Sequence, residues 1–228
     1  MASNSSYREI QDNVLSLISK SDSTTRTRIK NWINMGYYDF VLRELWPFRE
    51  VTDTITTVGG TQEYTLSTEF TDIDAQNIIS VTVQDNNTKL VYWPYNQLRA
   101  NQPNFAQVGS SVPQRYYIKA GKIGLWPAPA DAYTVVVDYY KVPTELSADA
   151  DVPIVPIAYR ESLVQYALGL EHDFNSDPDL AVKASNRYEQ IVTLARNNLL
   201  TQPNDTESFR ILGPMDSRNH TGLSSEVT

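Results

Sequence analysis

The stretch Ser23–Arg49, STTRTRIKNWINMGYYDFVLRELWPFR, limits the possible fold more than any other part of the chain. Ile29, Ile33, Tyr37, Val41 and Leu45 recur every four residues, and Trp32, Gly36 and Phe40 fill the adjacent row. A broad apolar stripe of this period marks a helix laid against a core. Asp22 or Ser23 can cap its start, because a short side-chain oxygen accepts from the free N–H groups of a first turn. Pro47 disfavours helical geometry at the residue before it, so the helix is expected to end at Trp46. Directly afterwards the pattern changes to Thr-, Val- and Tyr-rich runs. That switch predicts a boundary between modules, with Trp46 and Phe48 as its hydrophobic hinge.

The rest of the chain arranges itself around this boundary. Residues 6–18 predict a first helix, with Ser6 and Glu9 at capping-box spacing and Ile10, Val14, Leu17 and Ile18 on one face. Residues 51–142 predict about seven short strands. Val51–Thr57 and Gln62–Leu66 flank Gly59-Gly60, Ile78–Gln84 and Lys89–Tyr92 flank Asp85–Thr88, and Gln114–Lys119 and Lys122–Trp126 flank Ala120-Gly121. Each pair is expected to form a hairpin, since glycine accepts the positive φ that tight turns need. Tyr95–Asn101 predicts one or two helical turns. Tyr133–Tyr140 is apolar on both faces and is expected to be a central strand. Residues 143–152 form a polar linker. A buried helix follows from about Ile157, and Asp177-Pro178 caps and starts another. The expected class is α+β: a bundle of N- and C-terminal helices (1–50 and 143–200) with an inserted antiparallel β-sandwich or barrel (51–142) and an extended tail (201–228).

Charge and chemistry exclude several functions. The net charge is -8, and no segment is strongly basic: residues 1–50 carry seven bases against six acids, and residues 143–200 four against nine. A nucleic-acid binder working by counterion release is therefore not expected. There is no cysteine, which removes disulfides, thiolate catalysis and Cys-based zinc sites. The opening MASNSSYREIQDN does not read as a signal peptide, and no run is long and apolar enough to span a bilayer. His172 and His220 lack the partners of a metal or general-base motif, and there is no nucleophile elbow or phosphate-binding glycine loop. Asp72/Asp74 lacks the rest of a calcium loop. Neither an enzyme nor a cofactor is expected.

What stands out is the aromatic load of 14 Tyr, 4 Trp and 6 Phe. Trp46 and Phe48 at the hinge, and Trp93, Tyr95 and Trp126 beside prolines at strand ends, are candidates for a protein interface. The same residues could fill a small core or face a sugar. The tail is polar except for Phe209, Ile211, Leu212 and Met215. It is too polar to fold by itself, and its apolar island is expected to dock on a partner.

The order of segments resembles a known family. Leu45-Trp46-Pro47-Phe48 precedes Ile55–Leu66 (ITTVGGTQEYTL); then come Pro113–Ile118 (PQRYYI), Lys122–Pro129 (KIGLWPAP), Tyr139–Pro143 (YYKVP) and Asp151–Pro156 (DVPIVP). Over about residues 7–200 this resembles the head-to-tail adaptor proteins of tailed bacteriophages, especially short-tailed ones. The resemblance implies a structural virion protein without enzymatic activity. It implies a ring of about twelve copies at the head–tail junction, joining the portal protein to a tail nozzle and continuing the channel through which genomic DNA passes unbound. A carbohydrate- or receptor-binding β-sandwich module of a phage particle is the alternative.

Overall fold

The computed structural model describes residues 4–105 and 109–200 of the chain. Two helices come first, α1 (Tyr7–Leu17) and α2 (Ser23–Leu42). Eight strands with two short helices follow: β1 (Glu50–Thr56), β2 (Glu63–Thr65), α3 (Leu66–Glu69), β3 (Ile73–Val83), β4 (Thr88–Lys89), β5 (Val91–Tyr92), α4 (Tyr95–Asn101), β6 (Arg115–Lys119), β7 (Lys122–Trp126) and β8 (Thr134–Lys141). The helices α5 (Glu161–Phe174) and α6 (Pro178–Leu199) come last.

The four long helices share one core. Ile10 and Val14 of α1, Ile29, Ile33 and Phe40 of α2, Leu163, Val164 and Ala167 of α5, and Ile191 and Ala195 of α6 all meet there. Caps fix the helix starts as the sequence predicts. The Ser6 hydroxyl accepts from Glu9 N, Asp22 Oδ1 accepts from Thr25 N at 2.8 Å, and Asp177 accepts from Leu180 N with Pro178 in the first turn. The strands form two four-stranded sheets in the orders β1-β8-β3-β4 and β2-β7-β6-β5. They enclose a second core of Ile55, Val81, Val83, Ile123, Leu125, Val135, Val137 and Tyr139. The fold is thus α+β, and the β part is an open sandwich, not a closed barrel. β8 is central, and Val135 sits between Ile55 and Val83 across the sheet.

One expected hairpin is corrected and a second is shorter than expected. β1 and β2 do not pair across Gly59-Gly60; β1 pairs with β8 and β2 with β7, in different sheets. The turn instead docks on the loop before β8. Gly60 N donates to Pro129 O at 2.7 Å, and a side chain on Gly59 would meet Ala130 O at 2.7 Å. The Asp85–Thr88 turn does join β3 to β4, with Asn87 left-handed at φ 48°. The chain then crosses sheets at buried Leu90, so that β5 runs parallel to β6. The third hairpin forms as expected, with Ala120 and Gly121 at φ 49° and 73°.

Residues 143–152 are polar but tied down. Leu146 is buried, and its backbone exchanges two hydrogen bonds with the Asn34 amide at 2.9 and 3.1 Å. Asp149 accepts from Arg8 and Lys30, and those bonds hold its carboxyl below the usual aspartate range.

Candidate assembly surfaces

The hinge between the modules is a buried knot. α2 stops at Leu42, four residues short of the expected end, because the segment after it turns back. Trp46 stacks on Phe40 at 5.2 Å and on Phe48 at 5.9 Å, and its indole Nε1 donates to Phe40 O at 2.8 Å. Arg49 completes the helix end. Its guanidinium donates to Val41 O at 3.2 Å, Glu44 O at 3.0 Å and Lys141 O at 3.0 Å, and it pairs with Asp74 at 3.2 Å. One buried side chain thereby satisfies carbonyls that a helix C-terminus leaves open and ties them to β3 and β8. Asp72 likewise meets Thr144 and Lys141. The Asp72/Asp74 pair is thus a structural crosslink.

Trp46 is 0% exposed, so the expectation of an exposed interface tryptophan at the hinge is corrected: it belongs to the helical core. Phe48 is half-buried beside it. Leu45, read as part of the core stripe, is exposed because the helix ends before reaching it.

Trp93, Tyr95 and Trp126 come together on the outer face of the second sheet. They pack with Leu98 and Phe105 around Tyr117, whose ring covers Gly124 so closely that no side chain fits there. Trp93 and Trp126 meet edge to face at 5.5 Å, and Tyr95 lies 5.4 Å from Tyr117. All three keep part of their surface open. Cations cover their rings: the Arg115 guanidinium is 4.1 Å from the Trp93 centroid, and Lys119 Nζ is 4.5 Å from that of Tyr95.

Sequence reading missed a second apolar stripe on α2. Met35 and Leu42 are about half exposed on the side away from the core, with Leu45 just beyond. Their seven-residue spacing is the available signal, but the stronger stripe on the opposite side masks it. Also missed was a buried ion network. Glu171 is fully buried and accepts from Arg28 at 2.9 and 3.0 Å, from Lys20 at 3.1 Å and from Asn175 at 2.9 Å. Burial alone raises its carboxyl pKa, but the donors from Arg28, Asn175 and Lys20 outweigh burial and hold it below the ordinary value of 4.5. A folded-state pKa below the unfolded one gives stability that is present above the unfolded value and lost as pH falls through the folded value. Thermal melts are therefore expected to fall as pH drops below 4.5, and Glu171→Gln is expected to flatten that part of the slope. An unchanged slope would remove Glu171 from the acid response.

The tail residues Phe209, Ile211, Leu212 and Met215 lie outside the described residues. Among the described residues, no group of three or more His, Cys, Asp or Glu side chains could hold a metal ion, and no helix is long and apolar enough to cross a membrane. The described residues thus form a helical core and a β-sandwich core, and their distinctive surfaces are aromatic, apolar or charged. A family model described as SU10 adaptor protein matches residues 5–214. The chain belongs to the SU10 adaptor protein family, in agreement with its resemblance to phage head-to-tail adaptors. The match runs past Thr201, beyond the limit of that resemblance, and takes in Phe209, Ile211 and Leu212. No curated protein matches the chain.

Proposed function

We propose that this adaptor is the subunit of a closed ring at the head–tail junction of a phage particle, twelve copies in the form its resemblance implies, joining the portal protein to the tail nozzle. The family match over residues 5–214 carries this reading. Exposed Met35 and Leu42 and the half-open Phe48, Trp93, Tyr95 and Trp126 supply surfaces for contacts between subunits. The net charge of -8 suits a channel that passes DNA without holding it. The tail docks on the portal or on a neighbouring subunit through Phe209, Ile211, Leu212 and Met215. One tail binds weakly, because ordering its backbone costs about 1–2 kcal/mol per residue. A ring presents many tails to one symmetric partner, and multivalency raises avidity by about 10²–10⁴.

The carbohydrate-binding alternative gains nothing from the geometry: cations already occupy the ring faces of Trp93 and Tyr95. Light scattering of the purified chain, alone and with its portal protein, tests the proposal. A ring-sized mass with portal is expected for the full chain, and weaker portal capture for a chain truncated at Thr201. A monomer under every condition sinks the ring, and full capture by the truncated chain sinks the tail's role.

A further inference from the structure

Four of the six bases in residues 51–142 gather in one place on this acidic chain. Arg115, Lys119 and Lys122 share the outer face of the β6–β7 hairpin, where Arg115 pairs with Trp126 and Lys119 with Lys122 in register. Arg99, on α4, lies 5.8 Å from the Phe105 ring of the same cluster. Neither Arg99 nor Arg115 makes an ion pair among the described residues, and Glu63 is the one acid facing the lysines, at 3.9 and 3.5 Å. Val91, at the sheet edge and in register with Arg115 on the same face, is 64% exposed. This face is cationic, aromatic and open.

The opposite character appears at the α5–α6 turn. Asp173 and Asp179 are exposed there and make no ion pair among the described residues, and Asp177 is used only as the α6 cap. Phe174, between them, is 61% exposed although the Arg28 guanidinium lies 4.2 Å from its ring centroid, and Leu180 is 40% exposed. Lys183 lies one turn further along α6, and Arg28 and Lys20 reach this end of α5 paired to the buried Glu171; with Glu171, Asp173, Asp177 and Asp179 the turn stays net negative. One subunit thus carries two unlike patches that complement each other in charge and in apolar content.

We propose that the acidic α5–α6 turn of one copy seats on the basic aromatic face of the β6–β7 hairpin of the next. This rests on the ring reading and names its contact. Two different patches on one chain make a head-to-tail interface, the kind that closes into a ring when the rotation permits. Opposite charge steers the approach and rejects wrong registers, while the aromatic and apolar groups supply contact area. Nucleic acid is the other partner such a face can suggest. It is disfavoured because base stacking needs free ring faces, and here Arg115 and Lys119 already cover those of Trp93 and Tyr95.

Charge reversal tests the contact. Arg115→Glu with Lys119→Glu is expected to raise the concentration for half-assembly by roughly tenfold or more, since like charges then face each other. Asp173→Lys with Asp179→Lys is expected to do the same. The chain carrying all four changes is expected to assemble again, and so is an equal mixture of the two double variants. Asp173 and Asp179 are exposed and Arg115 and Lys119 are half-buried, and circular dichroism confirms that each variant folds. If wild type assembles but the fourfold chain does not, or if neither double variant weakens assembly, the contact is overturned while the ring stands. If wild type stays monomeric even with portal protein, both fall. If single-stranded DNA binds the free subunit, and Arg115→Glu with Lys119→Glu abolishes that binding without affecting assembly, the face belongs to nucleic acid and the proposal is overturned.

Discussion

Trp46→Ala is expected to destabilise the protein by about 3–5 kcal/mol, the range for removing a large buried aromatic and leaving a cavity. The indole is 0% exposed, lies between Phe40 and Phe48, and donates to Phe40 O. Its loss opens a void in the helical core and frees a carbonyl at the end of α2. Against a total stability of about 5–15 kcal/mol, that is a large fraction. Urea unfolding followed by circular dichroism checks it. Trp93→Ala is the comparison, because Trp93 keeps part of its surface in solvent and belongs to the small satellite cluster. Its expected cost is smaller, within the common range of about 0.5–3 kcal/mol. Equal costs at the two positions would contradict the division into core and satellite.

Arg49→Ala has an expected cost of similar size for a different reason. Removing one partner of a buried ion pair typically costs about 3–5 kcal/mol, since the other is left without compensation. Here Asp74 loses its cation, and the carbonyls of Val41, Glu44 and Lys141 lose a donor together. Arg49→Lys is not expected to restore stability, because an ammonium lacks the planar fork that reaches several acceptors at once. A double-mutant cycle with Asp74→Ala separates the pair from the carbonyl contacts. Additive losses would mean that Arg49 acts through the carbonyls alone. A coupling of about 0.5–3 kcal/mol, the range for directly interacting residues, is expected. Because the same side chain joins α2 to β3 and β8, the variant should also loosen the sandwich against the bundle, read as faster amide exchange around Lys141.

Much of the architecture was open to sequence reading because it depends on local rules. The apolar period of α2, the caps at Ser6, Asp22 and Asp177, and the Ala120-Gly121 turn are fixed by residues within one or two turns of each other. The end of α2 was not open in that way. Pro47 sets a limit at Trp46, but the helix stops earlier because Trp46 and Arg49 take its terminal carbonyls, and Arg49 is anchored by Lys141 and Asp74 far along the chain. The same holds for the surfaces. Trp46 and Trp93 read alike as tryptophans beside proline, yet one is sealed in the core and the other lies on an outer sheet face.

Sequence alone therefore settled which segments are helices and strands and that a β module interrupts a helical one, since hydrophobic period and turn chemistry act over short distances. Only the tertiary structure decided which strands pair, where α2 ends and which aromatics reach the surface. Those outcomes depend on contacts between residues distant in the chain. Gly59-Gly60 permits a hairpin, but Pro129 and Ala130 direct the turn to another sheet. Arg115 and Lys119 are two unremarkable bases in the sequence, and become one charged face because β6 and β7 place them over Trp93 and Tyr95.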